Sequence, residues 1–450
     1  MHGYIGVNSK SKTKKNYRLN FLKHIDHELE SEQFVSRSKD GHKGVFSRNR
    51  KLTFNRLLIF IMSFKTALQR DLDRLYGKLL NDDFNFREIT KGALSQARSK
   101  LNPWAFKRLN EVISNAFYTE SPFYYTWHGM RTLAVDGSRL VLPNHATVKE
   151  EFGVHGFGPN ADSQQSLAMC SMLYDVLNLV TLDAQLAPYA SSERDLLKAH
   201  LQKANKGDLL LLDRGYPSFW VLFLLKAMEV EFCVRMKENW WLSVNEFFKS
   251  GKEQEIIEFT LPQKDHEKLS NYPEIINTTI KCRFVRVELD NGEVEVLCTS
   301  LTDVQRYKAS EFKELYHLRW SEEEAYKLLK ARAEMEKFSG KTARAVHQDF
   351  QSKIYLMTMC AAFAHPIEEK VRDEFKADEN RKHAQKINRT NALSNLMDLL
   401  VPMFLQKKIK KSFETFDNLV YNTREIVRPN RIEIRKKKPK RPYYMNYKPL

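Results

Sequence analysis

Leu209-Leu210-Leu211-Leu212-Asp213-Arg214-Gly215-Tyr216-Pro217 joins a four-leucine run to an acid, a glycine-containing turn and a proline. Four leucines without polar alternation read as a strand buried on both faces, the mark of a parallel sheet covered by helices. Pro217 suits the first turn of a helix, and the apolar residues after it carry that helix to Met228. Strand, tight turn and helix in this order indicate an α/β protein. In open α/β sheets ligands bind beyond the strand ends, which is where Asp213 stands.

Upstream, Leu133, Val135, Leu140 and Leu142 alternate around Asp136-Gly137-Ser138, which predicts a strand interrupted or turned at the second acid. Gln165 to Tyr174 and Leu177 to Leu186 are further strands, and Ser192-Glu193-Arg194-Asp195 opens a helix running to Ala204 with Ser192 as its cap. Val230 to Met236 is a fifth strand. If the first and fourth strands are neighbours, the carboxylates of Asp136 and Asp213 converge. An Asp before a glycine is also a common turn former, so either acid alone is weak evidence of a site.

Downstream, Tyr316-His317-Leu318-Arg319-Trp320-Ser321-Glu322-Glu323-Glu324-Ala325-Tyr326-Lys327-Leu328-Leu329-Lys330 reads as one helix. At 100° per residue Tyr316, Arg319, Glu323 and Lys330 fall within roughly 60° of one another. Leu318, Ala325, Leu328 and Leu329 form the opposite, apolar back, so the polar row is expected in front. The plain alternative is a solvated helix face with an Arg319–Glu323 pair and a surface Lys330.

The remaining segments frame this core. Residues 1–52 read as a basic flexible arm, and 53–125 as a helical region that is a candidate DNA-end-binding domain or a helical cap. Residues 126–236 hold the first part of the α/β core, 237–303 a β-rich insertion, and 304–370 the second part with the Glu323 helix. Residues 371–450 are a C-terminal helical region and a basic tail ending around Arg435-Lys436-Lys437-Lys438-Pro439-Lys440-Arg441.

With 73 Lys+Arg against 56 Asp+Glu, the net charge of +17 calls for a polyanionic partner, nucleic acid or an anionic membrane surface. No run approaches the roughly 18 apolar residues of a membrane span, and no secretory apolar segment follows Met1, so a cytoplasmic location is expected. Five cysteines without paired ligand spacing indicate neither a disulfide framework nor a zinc site. His145, His155 and His200 are scattered and carry no ligand pattern.

Three carboxylates on rigid elements suit two-metal phosphodiester chemistry, which needs hard oxygen ligands. With these residues the chain resembles the DDE-class bacterial insertion-sequence transposases of the Tyr-Arg-Glu-Lys branch, insertion sequence family four. Tyr316, Arg319, Glu323 and Lys330 match every spacing of the branch motif, and Ala134-Val135-Asp136-Gly137-Ser138 and Leu211 to Pro217 resemble its two Asp motifs. Ala187-Pro188, Ser192-Glu193-Arg194 and Gly207-Asp208 are also similar to the family pattern.

The resemblance implies an RNase H-like α/β core in which Asp136, Asp213 and Glu323 bind Mg²⁺, with Mn²⁺ as a substitute. It implies cleavage at the terminal inverted repeats of an element and transfer of the freed 3′-hydroxyl to target DNA, by a homo-oligomer that is a dimer in the synaptic complex. Arg319, Lys330 and Tyr316 are then expected on phosphate oxygens and Trp320 on a base. A base-stacking Trp within the insertion has no counterpart here, since no Trp lies between Trp241 and Trp320. The basic tail is expected on flanking DNA of the bacterial nucleoid. Two alternatives stay open: a catalytically silent DNA-binding descendant, and an RNase H-like nuclease that cuts without joining.

Overall fold

The computed structural model describes residues 5–9, 17–40, 42, 44–46, 51–65, 67–81, 87–157, 163–378, 380 and 382–427. The basic tail at 435–441 lies outside the described residues. The chain divides into two compact units.

The first unit is built mainly from Ser121–Ser138 and Met169–Tyr326 and carries an eight-stranded sheet. In chain order its strands are β1 (Thr132–Val141), β2 (Leu167–Asp175), β3 (Val180–Pro188), β4 (Leu209–Leu212), β5 (Glu231–Arg235), β6 (Gln254–Thr260), β7 (Thr279–Glu288) and β8 (Val294–Thr299). Their order across the sheet is β6-β7-β8-β5-β4-β1-β2-β3. β1, β4 and β5 run parallel, whereas β6, β7 and β8 are antiparallel to their neighbours. The result is the mixed α/β, RNase H-like core expected from the sequence.

The four leucines of β4 are fully buried, as are Leu133, Ala134 and Val135 of β1 beside them, and helices Glu193–His200 and Phe219–Ala227 follow as the sequence indicates. Parallel strands gain stability only when both faces are covered, which is why this centre is continuously apolar.

One expectation changes: Asp136-Gly137-Ser138 does not interrupt β1, which runs unbroken from Thr132 to Val141, so Asp136 projects from the middle of a strand. The strands of the β-rich insertion extend the central sheet, with Leu297 to Thr299 pairing to Arg235, Val234 and Cys233.

The second unit is helical and draws on Lys14–Glu120, Arg139–Ala168 and the chain after Tyr326. The expected arm is not wholly unstructured, because helix Tyr17–Glu30 buries Tyr17, Phe21, Leu22 and Ile25, a spacing masked in sequence by the surrounding charges. Phe54–Ser63 buries almost its whole surface, and the 35-residue helix Ala343–Ala377 supplies much of this unit's core. Among the described residues, no helix is long and apolar enough to cross a membrane.

Candidate active site

Val135 pairs with Leu212 on adjacent parallel strands, so Asp136 and Asp213 are the next residue on each. The first-and-fourth-strand adjacency on which their convergence depends is therefore present. Beyond β4 the chain turns at once, closed by the Tyr216 N–H donating to the Asp213 carbonyl at 3.0 Å.

The segment carrying the third acid is not one helix. Phe312–His317 and Trp320–Lys327 are separate, and Leu328–Arg332 continues as a π-turn. Between them the N–H groups of Leu318, Arg319, Ser321 and Glu322 each donate to the carbonyl three residues back. Such a tightened stretch turns about 120° per residue and lines up side chains three apart. Tyr316, Arg319 and Glu322 accordingly all turn inward, at 6%, 4% and 0% exposure. Tyr316 and Arg319 of the row expected in front are thus buried and Glu323 and Lys330 half-buried, while of the expected back Ala325 and Leu329 are buried and Leu318 and Leu328 half-buried.

Arg319 connects the acids. Its guanidinium lies 3.0 Å from Glu323 Oε1 and 3.7 Å from Asp136 Oδ2. Burial works against its charge, but Tyr316, Asp213, Asp136 and the Glu323 hydrogen bond together hold it more firmly protonated than usual. All three acids singled out in sequence therefore act on one guanidinium. Its Nε finds no partner among the described residues.

Glu322 was the acid that the helical wheel passed over. Its Oε1 accepts the Asp136 N–H at 2.9 Å, and its Oε2 has no partner among the described residues. Burial, and then the charge of Asp136, push its carboxyl well above the usual range. Burial likewise pushes Asp136 up to about 6, with Asp213 and Glu193 adding to the rise and the Gly137 N–H and Arg319 opposing it.

Three tyrosines frame the acids. The Tyr316 hydroxyl donates to the Leu212 carbonyl at 3.2 Å, so in this arrangement it anchors its helix to the end of β4 and is not presented to solvent. Tyr326 donates to the Asp136 carbonyl at 2.8 Å. The Tyr216 hydroxyl is buried without a partner among the described residues, and after burial itself the nearby charges of Glu193, Asp136, Glu322 and Asp213 raise its pKa. Trp320, by contrast, is 50% exposed beside Arg319. Lys330 belongs to the second unit, where its ammonium donates to the Arg139 carbonyl. The π-turn around it breaks the 100° step that placed it in the row.

These groups suit a hard divalent cation in kind: the carboxylates of Asp136, Asp213, Glu322 and Glu323 surround the one guanidinium of Arg319. As they stand, no group of three or more His, Cys, Asp or Glu side chains among the described residues is arranged to hold a metal ion. The Arg319 guanidinium bridges Asp136 and Glu323 instead.

A family model, the transposase DDE domain, matches residues 127–359, which hold every acid described above. The chain is 22% identical over 301 residues to the transposase InsG of insertion sequence element IS4 from Escherichia coli (strain K12), covering 66% of this chain and 66% of that protein. InsZ of the same strain is 22% identical over 141 residues, 30% of this chain and 46% of that protein. The chain thus spans just under two thirds of InsG and under half of InsZ. A piggyBac transposase chain from a synaptic complex with hairpin DNA aligns with a TM-score of 0.46 at 8% identity, over 92% of this chain and 88% of that one. Since the family model takes in more than half of the 450 residues, the chain belongs to the DDE transposase domain family.

Proposed function

We propose that this chain is an insertion-sequence transposase that binds the terminal inverted repeats of its element, cuts DNA there and joins the freed ends to target DNA. The observation that carries this reading is the convergence of Asp136, Asp213 and Glu323 on the single guanidinium of Arg319. Family membership supports it.

We assign Asp136, Asp213 and Glu323 to holding Mg²⁺, for which Mn²⁺ substitutes. When bound, the metal supplies activation of the attacking oxygen and charge stabilisation in phosphodiester displacement. The chain's own residues do the rest. Arg319, freed from the acids, offers a planar fork to the phosphate oxygens beside the scissile bond. Trp320 offers an exposed ring on the same helix to an unstacked base. Tyr316 has one proton and spends it on Leu212, so it serves the site by holding two elements together. Lys330 is assigned to a phosphate on the motif alone, and the helical region 53–125 to end recognition. The transposing species is a dimer, and its place is the bacterial cytoplasm.

The test uses duplexes carrying the inverted repeats that flank the gene. Metal-dependent nicking followed by strand transfer is expected from the wild type and neither from Asp213→Asn. Binding of the ends without nicking selects a silent DNA-binding protein. Nicking without joining selects a nuclease.

A further inference from the structure

Ser192-Glu193-Arg194 was singled out in sequence, and the assignments above leave it without a role. Glu193 opens helix Glu193–His200, and its carboxylate lies against both aspartate segments. A Cβ on Gly137 would run into Glu193 Oε1, and one on Gly215 would come within 3.5 Å of Glu193 Oε2. Neither glycine adopts positive φ. Space for this carboxylate therefore explains Gly137, whereas at Gly215 the same carboxylate stands at ordinary contact distance.

Arg194 holds the second segment from the other side. Its Nε donates to the Tyr216 carbonyl at 3.1 Å, and its Nη2 donates to those of Gly215 at 3.0 Å and Pro217 at 3.2 Å. Asp136 sits within a ten-residue strand and needs no further restraint. Asp213 lies past the end of β4 on a turn, where no ladder fixes it. Three hydrogen bonds from one planar group supply that restraint, and a lysine, as a point charge, cannot reproduce them.

Resting on the metal assignment made above, we infer that Glu193 and Arg194 are a positioning pair: Glu193 spaces the Asp136 and Asp213 backbones, and Arg194 locks the Asp213 turn. They act through the two aspartates. The buried Tyr216 hydroxyl, unpartnered among the described residues, lies among the same acids on the turn that Arg194 holds.

The experiment is a Mn²⁺ titration of the full chain followed by electron paramagnetic resonance, with melting curves and with end-DNA binding in EDTA as a second readout. Glu193→Ala and Arg194→Ala are expected to weaken Mn²⁺ binding roughly 10- to 100-fold, the usual cost of removing a group that orients metal ligands, with metal-free DNA binding unchanged. Arg194→Lys is expected to recover little of this, and Glu193→Gln, which keeps the shape, to stay within about threefold of wild type. Gly137→Ala, which evicts the carboxylate, is expected to add less to Glu193→Ala than it costs alone. Arg194→Lys carries the arginine test should Arg194→Ala not fold. Variant isotherms that superimpose on the wild type, or strict additivity of Gly137→Ala and Glu193→Ala, overturn the positioning role alone. A wild-type chain that binds no Mn²⁺ overturns the metal assignment and the positioning role with it.

Discussion

Two polar clusters share the first unit and differ in how completely they are satisfied. In one, His200 places Nδ1 at 2.8 Å from Asp183 Oδ2 and Nε2 at 3.0 Å from Ser171 Oγ, and Gln185 adds a further bond to Asp183. It has the outline of a nucleophile–imidazole–acid triad, but Ser171 and His200 are 0% exposed and Asp183 is 4% exposed, so no substrate reaches it. In the other, Asp136, Asp213, Glu322 and Glu323 surround one guanidinium, and Glu322 Oε2, Tyr216 Oη and Arg319 Nε lack partners among the described residues. A closed network of hydrogen bonds works as a strut. Orphaned polar atoms gathered around clustered acids are a mark of a binding site, and this separates the two clusters more sharply than residue type does.

The largest expected effect breaks the second cluster. Asp213→Asn removes a charge assigned to metal binding while leaving the turn intact, and cleavage of end-containing duplexes should fall by about a thousandfold or more with little change in melting temperature. Unaltered cleavage would remove Asp213 from the site. The strut should behave in the opposite way. His200→Ala strands a buried carboxylate and a hydroxyl and opens a cavity, which should cost about 2 to 4 kcal/mol of stability by urea unfolding. Activity per folded molecule should change far less than in Asp213→Asn. A His200→Ala chain of full stability would show that the two clusters do not differ in the way argued here.

Much of the first comparison was legible in sequence, because the parallel centre is written in uninterrupted apolar runs. Leu209–Leu212 reads as a strand buried on both faces and Leu133–Val135 as its neighbour, and both are fully buried side by side. The inward acid was less legible. Glu322, Glu323 and Glu324 are chemically alike, and the choice among them depends on the phase of the helix. A straight α-helix aligns Glu323 with Tyr316, but the i→i−3 bonds around Arg319 advance the phase until Glu322 aligns with it. That tightening leaves no local mark in the sequence. Asp136-Gly137 misled for a related reason: the glycine reads as a turn signal, yet its missing side chain makes room for Glu193, which is 56 residues further along the chain. The satisfied strut gave no signal either, since Ser171, Asp183 and His200 come together only through the pairing of β2 and β3.

The clustered acids also have a pH signature. Asp136 in the folded chain titrates near 6, above the ordinary carboxylate value of 3.8. A group raised on folding adds stability that is full below about pH 4 and is lost as pH rises through 6. In EDTA, Asp136→Asn should therefore be more stable than wild type by about 1 to 3 kcal/mol at pH 7.5, and the difference should vanish near pH 4. Added Mn²⁺ should restore the wild type and leave the variant unmoved. A difference independent of pH would mean that ionisation of Asp136 does not set the cost.

The smallest effect decides which cluster Tyr316 resembles. Its phenol is 6% exposed, burial pushes its pKa far up, and its proton is committed to the Leu212 carbonyl. If it is a strut, Tyr316→Phe should cost about 1 kcal/mol of stability, the net worth of one buried neutral hydrogen bond, and leave DNA affinity in EDTA unchanged. If it turns to a phosphate when DNA binds, the balance reverses: stability stays and affinity drops by a similar free energy, close to fivefold on the ~1.4 kcal/mol-per-decade scale. The geometry favours the first outcome, because a single hydroxyl proton cannot serve the strand end and a phosphate together, and release from Leu212 would loosen the helix that leads into Arg319.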